Sequence, residues 1–181
     1  IKFFINENKK VKIRKIIFEG NTAFSDFRLR WKLKEIKQQR LYLFWRGTYD
    51  EKKFKDDLNL LNDFYHDKGY RDFTILNDTI IYSDNLKKMD VIIKVDEGYQ
   101  YKYRNFTWEG NTLFGDDLLN RSLSLEFGDR YSKKEFNMAV FDRVQGLYMD
   151  RGYIWSRIDP KITPIGTDSI DINFINKENH K

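Results

Sequence analysis

The sequence predicts an α+β chain made of two tandem β-α-α-β-β units. Three observations carry that prediction: an internal repeat, a switch from alternating to helical apolar spacing inside each copy, and matching turn and cap residues in both copies. Ile16-Ile17-Phe18-Glu19-Gly20-Asn21-Thr22-Ala23-Phe24 returns as Phe106-Thr107-Trp108-Glu109-Gly110-Asn111-Thr112-Leu113-Phe114, a shift of 90 residues. Tyr65-His66-Asp67-Lys68-Gly69-Tyr70 returns as Tyr148-Met149-Asp150-Arg151-Gly152-Tyr153 at a shift of 83, and Asp90-Val91-Ile92-Ile93-Lys94-Val95 as Asp171-Ile172-Asn173-Phe174-Ile175-Asn176 at 81. Three matches in one order define copies at 11–98 and 101–179. The fall from 90 to 83 places about seven extra residues in the first copy, within 37–48. Residues 1–8 match the end of each copy and read as the last strand of a preceding unit.

Within the first copy, 11–18 is rich in β-branched and apolar residues and stops at Gly20-Asn21, which tolerate the positive φ of a tight turn. Ser25 can cap a helix carrying Leu29, Leu33 and Ile36 at i, i+4 and i+7. Asp50 can cap a second, with Phe54, Leu58, Leu61 and Tyr65 on one face and Gly69 as its stop. In the second copy that helix opens with Ser132-Lys133-Lys134-Glu135, a reciprocal capping box, and runs through Phe136, Val140, Val144 and Leu147. Strands follow at 72–82 and 88–96, and at 154–163 and 169–176. Met89, Val91, Ile93 and Val95 alternate cleanly, as do Ile170, Ile172 and Phe174, so one sheet face packs on the helices. Pro160 places the penultimate strand of the second copy on a sheet edge.

Composition narrows the chemistry. The 181 residues include no Cys and two His, His66 and His180, so disulfides and thiolate sites are excluded, and a zinc site or Ser-His-Asp triad has little to work with. Neither a G-x-G-x-x-G nor a P-loop occurs; no catalytic residue, cofactor site or metal site is expected, and the chain reads as a binding module rather than an enzyme. Aromatic residues make up 17% and the net charge is +5, a composition that folds. No stretch is long and apolar enough for a membrane-spanning helix, and a start at Ile1-Lys2-Phe3 reads as a piece of a longer protein.

A tandem unit of this order, with a Gly-Asn turn after the first strand, Tyr-x-x-x-Gly-Tyr closing the second helix and a Glu at the end (Glu97-Gly98, Glu178-Asn179), resembles the POTRA (polypeptide-transport-associated) domain. The resemblance implies a three-stranded mixed sheet in each unit, last strand central and penultimate strand at the edge, with two antiparallel helices on one face. It further implies a periplasmic portion of an outer-membrane protein in front of a C-terminal membrane barrel, of the barrel-assembly kind. The long first copy followed by a shorter one is similar to two middle units, the third and fourth of five. The insertion at 37–48 departs from the family pattern, and a role particular to this protein is expected there.

An edge strand offers unpaired N–H and C=O groups to any extended chain. Thr74, Leu76 and Ile80 in the first copy, with Trp155, Ile158 and Ile162 in the second, mark the strands where a client would add. The opposing reading is that these side chains face the core and that Arg71, Arg157 and Lys161 blunt the edges. The basic stretch from Arg28 to Lys55 carries an apolar tip in which Arg40, Tyr42, Phe44, Trp45 and Arg46 could meet an acidic partner or an anionic membrane, unless the aromatics fold back on the core. Glu19-Gly20-Asn21, Asp56-Asp57 and Asp116-Asp117 read as turn and cap residues rather than sites. The expected partners are unfolded outer-membrane proteins, accessory lipoproteins of the assembly machine and the chain's own barrel. The alternatives are a docking hub of a secretion or division protein, or a basic RNA-binding module; no nucleic acid is expected, since no RNP1-like pattern or G-x-x-G loop occurs.

Overall fold

The computed structural model describes residues 11–37 and 49–178. The expected strand at 1–8 and all of the insertion but Lys37 lie outside them. The first copy forms β1 (Lys12–Glu19), α1 (Asp26–Lys32), α2 (Glu51–His66), β2 (Thr74–Tyr82) and β3 (Lys88–Asp96). The second forms β4 (Lys102–Glu109), α3 (Asp116–Leu123), α4 (Lys133–Asn137), a π-helical stretch (Met138–Val144), α5 (Gln145–Asp150), β5 (Arg157–Ile165) and β6 (Ser169–Lys177). The strands make two mixed sheets, ordered β1-β3-β2 and β4-β6-β5, with the first pairing parallel and the second antiparallel in each. Among the described residues the last strand is central and the penultimate strand is an edge in both. By compactness the described residues up to Phe64 group with Phe73–Glu97, and Tyr65–Asp72 group with Gly98 onward.

Each unit is closed by the same set of contacts. Gly20 and Gly110 turn the chain at φ +88° and +76°, where a Cβ would collide with the carbonyl oxygens of Val95 and Asn176 respectively. Asn21 Nδ2 then donates to the Phe24 carbonyl (2.9 Å) and Asp26 (3.0 Å), as Asn111 does to Phe114 (3.0 Å) and Asp116 (2.8 Å). The carboxylate of Glu97 accepts the amides of Thr22 (2.8 Å) and Ala23 (3.0 Å) and the Thr22 hydroxyl (2.6 Å). Glu178 accepts the Leu113 amide (3.1 Å) and the Thr112 hydroxyl in the same way. Burial pushes the Glu178 carboxyl up, but these donors together hold it below the usual range. The Glu that ends each copy is therefore a latch on the loop after the first strand.

The parallel pairings share an irregularity. Register slips between Ile13 and Lys15 in β1 and between Tyr103 and Asn105 in β4, so Arg14 and Arg104 are the extra residues of two matching bulges. Arg14 forks Asp90 (2.7 and 2.5 Å), and Arg104 forks Asp171. These hydrogen bonds outweigh burial and hold both carboxyls below the ordinary carboxylate range.

Four sequence expectations are corrected. Helix α1 stops at Lys32, so Leu33 and Ile36, though fully buried, lie beyond it. The reason is Asp57, fully buried in α2, whose carboxylate accepts the amides of Lys34 (2.6 Å), Glu35 (3.0 Å) and Ile36 (2.7 Å), donors that a continuing helix would have used. The capping box is half made: Ser132 accepts the Glu135 amide (3.3 Å), while the Glu135 carboxylate binds Arg143 (2.8 Å). Tyr148, not Leu147, is fully buried, because the π-helical stretch holds one residue more than α-helical spacing allows. Strands β2 and β5 start at Thr74 and Arg157 rather than at 72 and 154.

Candidate functional site

Both penultimate strands are edges, but their free sides differ. Strand β2 contains no proline, and its one disturbance is a register slip between Ile75 and Asn77 that leaves Leu76 as a bulge residue, 55% exposed. From Asn77 to Tyr82 the pairing runs unbroken, so alternate residues of that run turn their N–H and C=O groups to the free side. Ile81 is 51% exposed, Thr74 and Thr79 are exposed and Ile80 is half-buried.

Strand β5 holds both prolines of the chain, Pro160 and Pro164. Its register with β6 passes through both without a slip, so the ladder bonds come from the alternate residues and the proline nitrogens lie on the free side. Of the positions 158, 160, 162 and 164 that face outward, two have no N–H to give. Ile158 is buried, Ile162 packs half-buried against the core, and the opposite face carries exposed Arg157, Asp159, Lys161 and Thr163. Trp155 lies before the strand, 64% exposed, at an open groove of about 420 Å³ formed with Phe141, Gln145, Ile154 and Ser156. The groove's floor includes a buried Ser156 hydroxyl with no hydrogen-bond partner among the described residues, while the Ser156 carbonyl accepts from Gln145 (3.2 Å).

Of the residues nominated from sequence, Thr74, Leu76 and Ile80 thus share one strand, Ile158 and Ile162 share the other, and Trp155 stands beside the latter. Arg40, Tyr42, Phe44, Trp45 and Arg46 lie outside the described residues. The basic stretch is partly neutralised: Arg30 donates to the Ile16 carbonyl (3.1 Å) and Asp26 (3.4 Å), Lys53 meets Glu35 (3.5 Å) and Lys55 meets Glu51 (2.8 Å). Sequence reasoning passed over Pro164, the bulge at Leu76, and two exposed aromatics on α1, Phe27 and Trp31. A residue-by-residue comparison of the two copies would have drawn out the last pair, since the second copy has Asp117 and Arg121 there.

The geometry defines a class: a tandem-repeat module of small α+β units, each with a sheet edge left open among the described residues. The POTRA family model, described as "Surface antigen variable number repeat", matches residues 11–98 and 101–179, and the chain belongs to this family as two tandem units. It is similar to the outer membrane protein assembly factor BamA of Neisseria meningitidis serogroup B, 30% identical over 179 residues that cover 94% of this chain and 22% of that protein. BamA of Buchnera aphidicola is 28% identical over 168 residues, covering 90% of this chain and 27% of that protein. The chain thus spans about a quarter of the length of these curated relatives. In fold it resembles the crystal structure of Haemophilus influenzae BamA POTRA3-5, with a TM-score of 0.75 over 99% of this chain and 70% of that one, at 20% identity. Among the described residues no helix is long and apolar enough to cross a membrane.

Proposed function

We propose that the chain is the noncatalytic, periplasmic POTRA arm of an outer-membrane protein assembly factor, which receives unfolded outer-membrane proteins by strand addition and passes them to a barrel in the same polypeptide. Accessory lipoproteins of the assembly machine would dock on the same arm. The observation that carries this reading is the unbroken free side of β2 over 77–82, an acceptor that binds through main-chain groups and so tolerates many client sequences. The likeness to BamA proteins, named as outer membrane protein assembly factors, supports this reading. The prolines rank the two edges: β2 is the receiving strand, and β5 holds a chain weakly.

Titration of the labelled chain with an extended, alternating apolar peptide tests this by NMR. Amide shifts are expected over 77–82, with weaker ones over 157–165. Replacing both prolines (Pro160→Val with Pro164→Val) is expected to raise the response of β5 toward that of β2. Shifts that leave both strands untouched would overturn strand addition.

A further inference from the structure

Strand β2 is not uniform along its length. Asn77, Asp78 and Thr79 are polar and exposed, whereas Ile80, Ile81 and Tyr82 follow one another with no polar residue between them, Ile81 and Tyr82 being 51% and 50% exposed. The Ser83 amide donates to the Lys88 carbonyl across the hairpin (2.9 Å), so by alternation Tyr82, Ile80 and Asp78 turn their N–H and C=O groups away from β3. A strand added on that side meets Ile80 and Tyr82 on one face of the sheet, Ile81 on the other, and Asp78 toward its polar end.

The hairpin after Tyr82 continues the apolar end. Polar groups close it: the Leu86 amide donates to the Ser83 carbonyl (2.8 Å), the Lys87 amide to Asn85 Oδ1 (3.1 Å) and the Lys88 amide to Ser83 Oγ (3.1 Å). Leu86 itself stands at φ +54° with its side chain 64% exposed, a left-handed conformation that strains a residue with a Cβ. The matching hairpin of the second unit has Gly166 at its positive φ, +62°, where no such strain arises. On the strand, the register places of Ile80, Ile81 and Tyr82 are taken in the second unit by Ile162, Thr163 and Pro164, and that of Asp78 by Pro160. The edge that keeps its main-chain donors over 77–82 is thus also the edge with three apolar side chains in succession.

We propose that β2 selects extended segments with a block of apolar residues at one end and polar residues including a cation at the other, over segments of strict alternation. The inference rests on strand addition at β2 and names the class of segment that this edge takes. Main-chain bonds admit many sequences, and the cross-strand neighbours rank them. With the block opposite Ile80, Ile81 and Tyr82, apolar side chains meet on both faces, the outer end of the block runs on toward the hairpin that holds Leu86, and a lysine stands opposite Asp78. An alternating segment sets polar residues against one or two of the three apolar places, and apolar residues against Asp78 or its polar neighbours, whichever register it takes.

The test is an NMR titration of the full chain with three end-capped peptides of one composition: Val-Ile-Val-Thr-Lys-Thr, the same block in reverse order, and Val-Thr-Ile-Lys-Val-Thr. The two block orders serve antiparallel and parallel addition. Amide shifts over 77–82 are expected, with one block peptide binding about fivefold or more tighter than the alternating one. Ile81→Thr with Tyr82→Thr should erase that difference while amide positions outside β2 and its neighbours stay in place, which separates loss of selection from loss of fold. Leu86→Gly should leave the melting midpoint unchanged or higher and weaken the block peptide by about twofold or more. A lowered midpoint or undiminished binding would overturn the assignment of Leu86 to the site. Equal binding of block and alternating peptides, with shifts over 77–82, would overturn the selectivity and leave strand addition standing. No shifts over 77–82 with any of the three would overturn strand addition itself, and the selectivity with it.

Discussion

The two units fill the space between sheet and helices with different material. Ile16, Phe18 and Ile93 in the first stand where the second has Phe106, Trp108 and Phe174, and in the second the Trp108 and Phe174 rings stack at 4.3 Å. The second helix differs as well. From cap to closing tyrosine, Asp50 to Tyr65 corresponds to Ser132 to Tyr148, one residue longer, and the extra residue is taken up in the π-helical stretch Met138–Val144. The helix–helix loop also differs: Asp57 ties down residues 34–36 in the first unit, while the place of Asp57 itself is taken in the second by buried Ala139. What stays constant is the set of contacts at the ends of strands: the Gly turn, the Asn and Glu clamps on the following loop, and the Arg–Asp bulge. The comparison teaches that strand-end geometry defines this unit, and that interior volume and helix length are adjusted around it.

Three changes break or sharpen that comparison. The largest effect is expected at the shared turn: Gly20→Ala and Gly110→Ala should each destabilise their own unit by at least about 3 kcal/mol, since a methyl group meets both positive φ and a carbonyl oxygen. Urea unfolding followed through unit-specific NMR signals would measure this, and tolerance in one unit would mean that the turns are not equivalent. Next, Asp57→Ala should cost the first unit about 2–3 kcal/mol by leaving a set of amides without their charged acceptor. An unchanged urea midpoint would mean that water replaces the carboxylate. Smallest is the removal of Asp142, an exposed residue of the π-helical stretch. Phe136, Ala139 and Val140 would then be followed by Val144 and Tyr148 at i+7 and i+11, an ordinary helical stripe, so the expected cost is under about 1 kcal/mol. A loss of several times that would tie the wide turn to the aromatic interior.

Much of this was legible in the residues because it is repeated. Glu-Gly-Asn, Gly-Tyr and the terminal Glu recur at fixed shifts, and a short-range rule explains each: positive φ at a glycine, an Asn side chain on its own turn, a helix stop. Pro160 located its strand on an edge for the same local reason. Features with no local signature were missed. Asp57 reads as one of many helix-surface carboxylates until the loop of 34–36 folds onto it, and Leu33 and Ile36 keep helical spacing although the helix has ended. The π-helical stretch shows in sequence only as the change from a shift of 82 at the cap to 83 at the tyrosine, which needs both ends of the helix aligned. On the edges, residue type marked the strands but not the quality of their free sides. That depended on Pro164 sharing the parity of Pro160, and on a bulge at Leu76 that no residue type announces.

The parallel pairing of first and last strands also sets how a unit responds to pulling. Tension along the backbone enters the first unit at the start of β1 and leaves at the end of β3, which lie at opposite ends of two adjacent parallel strands. The force therefore runs along the ladder and shears its bonds together, whereas an antiparallel pair loaded at one end would unzip bond by bond. The Arg14–Asp90 fork cross-links the same two strands, and Arg104–Asp171 does so in β4 and β6. A chain of such units resists being drawn out at each repeat, even though the outer edge of each sheet carries no further strand among the described residues.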